Sequence, residues 1–278
     1  MLKQRVITAL VMVAVVLTAL FFLSSQWFAV FAAVIVLLAA WEWCQFTHWR
    51  GPMRIAYVAV IALSLLGLGY GSGLLSAVGD IRSDWVLRTC QTAFFWWALV
   101  ISLVALYPRQ RPWRGRYVQA LMGLLVLVPT WLALVFLHAQ PRGQWLIVIM
   151  AITVICADAG AYFVGRKWGR RKLAPKVSPG KSWEGLVGGF VCSGIFAFIL
   201  AQAVGGIVEN RAVIAMVLGT SLISVYGDLL ESMLKRECGI KDSGKLFPGH
   251  GGVLDRADSL TAALPIFTLI YLTSGWQL

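Results

Sequence analysis

Runs of about twenty apolar residues recur along the whole chain, near 6–23, 27–46, 55–77, 90–107, 117–137, 144–165, 185–207, 212–230 and 259–275. A helix needs roughly 20 such residues to cross the hydrocarbon of a bilayer. Backbone polar groups in that layer find no water, so a chain built of such runs folds as helices. The expectation is an all-α, polytopic membrane protein with about nine transmembrane helices. Composition agrees: 59% of residues are hydrophobic and 13% charged, against about 45–50% and about 25% in soluble domains. The first run follows Lys3 and Arg5, as in a signal peptide. It is longer than such a peptide's apolar core, lacks a small-x-small cleavage site and precedes many similar runs, so it reads as the first span. The expected division is an N-terminal group of transmembrane helices, residues 1–140, and a C-terminal transmembrane region, residues 141–278, that carries the polar stretches described below.

Charge in the connections sets orientation. Net charge is +2 in the N-terminal tail, +2 in 46–54, +4 in 108–116 and +7 in 165–183. The alternate connections carry nothing in 24–26, 79–88 and 208–211, and +1 in 138–143. Lys and Arg accumulate on the cytoplasmic side, so the N-terminus, the basic loops and the stretch Ser232–Asp258 are expected there. Nine spans place the C-terminus outside. Short juxtamembrane loops carry the +12 formal charge, which topology and anionic lipid headgroups explain without nucleic acid. Trp41, Trp43, Trp49, Trp85, Trp113, Trp145 and Trp183 fall near span ends, as an interfacial belt would. Gly67, Gly69, Gly71 and Gly73 lack the strand and lysine of a phosphate loop and read as close helix packing. The five cysteines have no metal or disulfide spacing and read as small apolar fillers. No repeat of 20–50 residues and no matched pair of broken helices stands out, which weakens a transporter reading.

Against this background a few polar residues need a reason. Asp158 lies well inside an apolar run, with Tyr162 and Gly165 on the same helix face and Arg166 next to it. An acid in a span is costly and marks function by default, with a structural ion pair as the plain alternative. The loop Ser178-Pro-Gly-Lys-Ser182 ends like a phosphate loop, but Pro175 stands where the earlier glycine belongs and no strand precedes it. What remains is Ser182 as a helix cap with Lys181 beside it, an anion site or a basic turn against lipid headgroups. Further on, Ser221, Ser224, Asp228, Ser232 and Lys235 step by three or four and share a helix face.

The densest polar stretch runs from Ser232 to Asp258. It holds Lys235, Arg236, Lys241, Lys245 and Arg256, four acids, His250 and five glycines. Glycines let backbone amides approach an anion closely. Mg²⁺ takes hard oxygen ligands, usually one or two carboxylates plus phosphate oxygens and water. Asp228 and Asp255, from two helix ends, are the expected metal carboxylates. His250 is either a phosphate donor or structural. The pattern points to a metal-dependent site for a phosphate-rich substrate at a membrane surface.

The residues Ser232-x2-Lys235-Arg236-x4-Lys241-Asp242-x-Gly244-x2-Phe247-Pro248-x-His250-Gly251-Gly252-x2-Asp255-Arg256-x-Asp258 closely resemble the signature of the phosphatidate cytidylyltransferases, or CDP-diacylglycerol synthases. The segments Asp158-x2-Ala161-Tyr162-x2-Gly165-Arg166 and Ser178 to Gly185 resemble that family's upstream motifs. Gly180 departs from the pattern, since the family more often has a second basic residue there. The resemblance implies CTP and phosphatidic acid as substrates, CDP-diacylglycerol and pyrophosphate as products, a homodimer, Mg²⁺ on Asp228 and Asp255, and K⁺ as a second ion. It implies catalytic roles for Asp228, Lys235, Arg236, Lys241, Asp242, His250, Asp255, Arg256 and Asp258. Substrate binding falls to Asp158, Tyr162, Arg166, Ser178, Lys181, Ser182, Ser232, Gly251 and Gly252. The compact chain is expected in a bacterial inner membrane with its site facing the cytoplasm. Two other readings stand beside this one: a CTP-dependent polyprenol or phytol kinase, and a transporter using Asp158 and Asp228 as coupling acids.

Overall fold

The computed structural model describes residues 2–75, 81–109, 111–204, 207–247, 249 and 251–276. Among them lie nine α-helices: α1 Leu2–Phe22, α2 Ser25–Thr47, α3 Pro52–Gly71, α4 Ser83–Leu106, α5 Arg116–Ala139, α6 Gly143–Trp168, α7 Trp183–Val204, α8 Ile207–Glu237 and α9 Leu254–Ser274. Eight of these, α2 to α9, are long and apolar enough to cross a membrane. The apolar part of α1, Val6–Phe22, is shorter. The chain is therefore a multi-pass helical protein. The loop between α6 and α7 is not purely irregular: β1 Lys172–Ala174 and β2 Ser178–Ser182 pair antiparallel, Lys172 opposite Ser182 and Ala174 opposite Ser178. These strands are too short and too basic to carry the alternating apolar pattern by which a strand is read from sequence.

The helices divide into two compact units, each discontinuous along the chain. One comprises Met1–Val86, Pro112–Gln144 and Leu234–Ala257; the other comprises Leu87–Arg111, Trp145–Met233 and Asp258–Leu278.

In the first unit α2, α3 and α5 pack on one another. Aromatic side chains fill the space, and their polar tips bond backbone carbonyls across helices. Trp43 Nε1 donates to Gln119 O at 2.8 Å, Tyr57 OH to Ala120 O at 3.1 Å, and Trp131 Nε1 to Ala29 O at 3.0 Å. His138 Nε2 donates to Leu20 O at 3.1 Å while its ring stacks on Phe28. A buried amphipathic ring needs such a partner, because an unmatched donor in this medium costs several kcal/mol. These bonds correct part of the interfacial belt. Trp43 and Trp113 are 2% and 1% exposed, whereas Trp41, Trp85, Trp145 and Trp183 are open. A tryptophan near a span end serves a helix contact as readily as a headgroup layer.

In the second unit α6 and α7 approach through small residues. A side chain at Gly189 would meet the Ala157 carbonyl oxygen, and one at Gly188 would meet Val164. Helices in lipid associate by such van der Waals contact, since the lipid supplies no hydrophobic drive between them. Gly189→Val is thus expected to destabilise this pair by about 1–3 kcal/mol, the usual cost of overpacking. A lower thermal unfolding midpoint in detergent checks this; an unchanged midpoint contradicts the close approach. Of the four glycines at 67–73, Gly69 lies in close packing, against Leu75 and Trp131, while the space beside Gly67 is open.

Candidate active site

A helix begins with four backbone N–H groups that have no partner inside it. At the start of α9, Val253, Leu254 and Asp255 carry three of these, and each meets a side-chain oxygen of the first unit, as does the amide of Gly252 just before them. Gly252 donates to Asp255 Oδ2 at 2.7 Å, Val253 to Glu42 Oε1 at 3.0 Å, Leu254 to Glu42 Oε2 at 3.0 Å, and Asp255 to Ser243 Oγ at 3.3 Å. Glu42 reaches this point from α2 and is 6% exposed. Two carboxylates at a helix N-terminus also complement its dipole.

The same groups fix the loop before α9. Ser243 N–H donates to Asp255 Oδ2 at 2.9 Å. The Ser243 hydroxyl lies 3.1 Å from Glu42 Oε2 and 3.0 Å from Asp255 Oδ2. Gln45, nearly one turn after Glu42 on α2, donates its amide to the Ser243 carbonyl. Phe247 N–H donates to Gly251 O at 2.9 Å, closing a turn in which Gly251 takes φ +86°, a conformation that disfavours any side chain. Lys235, near the end of α8, brings its Nζ to 2.8 Å from Asp255 Oδ1. These side chains are 14% and 5% exposed, so the pair is largely withdrawn from solvent.

The Gly252 amide, expected to face an anion, is spent on Asp255. Asp255 Oδ2 lies within bonding distance of three donors, while Oδ1 is paired with Lys235. Arg236, Lys241, Asp242 and Arg256 are exposed on the same unit. His250 lies outside the described residues.

The second unit holds a cavity of about 380 Å³ lined by Asp158, Tyr162, Gly165 and Arg166 of α6, by Ser178, Lys181 and Ser182 of β2, and by Val225 of α8 among others. The sequence motifs around Asp158 and Lys181 thus meet at one place. Asp158 is open to this cavity rather than enclosed, and it feels the charges of Lys181 and Asp228. Lys181 Nζ lies 2.7 Å from Asp228 Oδ2 and donates to the Val225 carbonyl at 3.2 Å. Asp228 Oδ1 in turn accepts from the Ser232 hydroxyl at 3.0 Å, one turn further along α8. Arg166 Nη1 donates to Tyr162 OH at 3.0 Å. Asp258 Oδ1 accepts from the Ser259 amide at 2.7 Å.

The helix cap expected at Ser182 is present: its hydroxyl accepts the Gly185 amide at 3.1 Å. Glu184 braces the loop from the other side, accepting the amides of Arg170 at 3.1 Å and Arg171 at 3.2 Å. Lys181, next to this cap in the chain, is paired with Asp228.

Each unit therefore sets one lysine on one carboxylate: Lys181 on Asp228, and Lys235 on Asp255. Phosphate oxygens compete for such lysines, and a hard cation competes for such carboxylates. The donor set suits Mg²⁺, which needs only one or two carboxylates when phosphates supply further oxygens. Among the described residues no group of three or more His, Cys, Asp or Glu gathers as a metal cage. Glu42, Ser243 and Gln45 were not among the expected site residues, and Glu184 stood there only as part of the motif at 178–185. For Glu42 a signal existed: it is an acid between Trp41 and Trp43 in an otherwise uncharged apolar run.

Comparison with known proteins is consistent along the whole chain. The model described as "Cytidylyltransferase family" matches residues 3–274. A "Phosphatidate cytidylyltransferase" of Pseudomonas aeruginosa is 43% identical, over 99% of each chain. Another of that name, from Haemophilus influenzae, is 39% identical over 98% of this chain and 99% of its own. One from Brucella suis is 34% identical over 96% of this chain and 92% of its own.

Proposed function

The chain belongs to the cytidylyltransferase family, and from that membership we propose that it transfers the cytidylyl group of CTP to phosphatidate, giving CDP-diacylglycerol and pyrophosphate. The observation that carries this reading is the 43% identity over 99% of both chains with a relative of that name.

The chemistry asks for charge control rather than proton transfer. A phosphate oxygen of phosphatidate attacks the α-phosphorus of CTP in line; the new P–O bond forms as the bond to pyrophosphate breaks. The nucleophile is already ionised, so no strong base is required. The difficulty is to bring two polyanions together and to stabilise the spread charge of the transition state. Lys181 and Lys235 are proposed to turn from their carboxylates to phosphate oxygens when substrate arrives. Arg236, Lys241 and Arg256, exposed around the second lysine, add positive charge for the nucleotide or the lipid headgroup. In the cavity beside α6, Ser178, Ser182, Tyr162 and Arg166 offer donors to a phosphate, with Asp158 opposing them. Ser232 orients Asp228, and the Gly251–Gly252 turn orients Asp255.

Asp228 and Asp255 are the proposed Mg²⁺ carboxylates, with K⁺ as a proposed second ion. A bound divalent ion supplies Lewis-acid polarisation of the reacting phosphoryl oxygens. The proposed setting is a bacterial inner membrane, nine spans and a homodimer, with the basic loops and the site on the cytoplasmic side where CTP is found.

The purified protein in detergent micelles is the test, supplied with CTP, Mg²⁺ and either phosphatidate or a long-chain polyprenol. The expected result is CDP-diacylglycerol by mass spectrometry from phosphatidate and no phosphorylated polyprenol. Polyprenyl phosphate, or no lipid product, contradicts the proposed acceptor.

A further inference from the structure

The geometry points to Glu42 as a positioning residue for cytidylyl transfer: from α2 it holds the Ser243–Asp255–Lys235 cluster in its working orientation. This rests on the functional reading above, in which Asp255 and Lys235 serve the reaction.

A helix start can be capped locally by Ser, Thr, Asp or Asn at the cap position. Here the position is Val253, whose side chain has no oxygen, and the acceptor comes from more than 200 residues away in sequence. An ionisable side chain in an apolar span is expensive, so its presence needs a return that a local serine cannot give. Glu42 uses both carboxylate oxygens on three donors, Val253 N–H, Leu254 N–H and the Ser243 hydroxyl. The backbone makes room for it, since a side chain at Gly252 or Gly244 would run into its carboxylate.

The Ser243 hydroxyl couples Glu42 to Asp255. It has one hydrogen, yet lies within bonding distance of Glu42 Oε2 and Asp255 Oδ2 and accepts the Asp255 amide. If Glu42 withdraws, Ser243 keeps only Gln45 on its carbonyl as an anchor from α2, and the two donors it turns to Asp255 Oδ2 can shift. The carboxylate can then rotate, and Oδ1 no longer meets Lys235 at a fixed place. With its carboxylate taken up by these donors, Glu42 acts through Ser243 and the first turn of α9.

Glu42→Gln keeps the shape but turns an N–H group toward a donor. In protein that elutes as a single species, kcat is expected to fall about 10- to 100-fold, the usual cost of losing a partner that orients a metal ligand. KM for CTP should change little. A second readout needs no turnover: the Mg²⁺ concentration that half-saturates the shift in thermal unfolding midpoint should rise about tenfold. Ser243→Ala should move both readouts the same way, and the double variant should be no worse than the more damaged single one, as for residues acting as a unit. Should Glu42→Gln fail to give a single species, Ser243→Ala decides. A folded variant that melts earlier but keeps wild-type kcat and Mg²⁺ dependence makes Glu42 a structural cap and overturns the assignment. Wild-type protein that makes no lipid product instead overturns the functional reading on which the assignment stands.

Discussion

Lys181→Met is expected to lower kcat by about 10²- to 10³-fold, the range seen when one preorganised charge or donor is removed from a transition state. The lysine sits between two acids: it lies 2.7 Å from Asp228, and Asp158 feels both charges. Removing it takes away a proposed phosphate clamp and leaves Asp158, which lines the cavity, and Asp228 without that cation. A phosphate must then enter against uncompensated negative charge, so KM for the phosphorylated substrates should rise as kcat falls. Steady-state kinetics in mixed micelles check this. Lys181 and Asp228 are 24% and 32% exposed in their side chains, so the pair itself adds little to stability. The variant should melt near wild type. Full activity in Lys181→Met contradicts the placing of the reaction at this cavity.

The second large effect is expected from Asp255→Asn. Asn retains one acceptor oxygen but puts an amide N–H₂ against either Lys235 or the three donors on Oδ2. Both arrangements are poor. Breaking a buried ion pair by removing one partner costs about 3–5 kcal/mol, and this pair is 14% and 5% exposed. A lower unfolding midpoint is therefore expected. Activity should fall further than stability alone explains, by about three decades, because several kcal/mol of metal-assisted charge stabilisation go with the carboxylate. The single-species fraction from gel filtration is the sample to assay. Wild-type kcat in that fraction removes Asp255 from the proposed ion site.

The helical architecture was legible because hydropathy runs report directly on helices that must hide their backbone from lipid. The Ser182 cap was legible too, since cap and capped amide are three residues apart. The face shared by Asp158, Tyr162 and Gly165 follows from helical period, and all three line one cavity. The pairing of each carboxylate with a lysine was not legible, for Lys181 and Asp228 are far apart in the chain and belong to different motifs. Glu42 was harder still. Its partners lie on another helix and in a loop late in the chain, so its lone charge in an apolar run marks it without showing what it holds. The hairpin of β1 and β2 escaped because its pairing depends on backbone hydrogen bonds in a polar loop and not on an apolar pattern.

One experiment asks most directly which phosphate this protein moves. Purified wild type in micelles with phosphatidate and Mg²⁺ would receive CTP labelled on either the α- or the γ-phosphate. Cytidylyl transfer carries the α label into lipid and releases the γ label as pyrophosphate, so α-labelled lipid alone is the expected result. Label entering lipid from the γ position would mean a kinase, and lipid labelled from neither position would contradict cytidylyl transfer altogether.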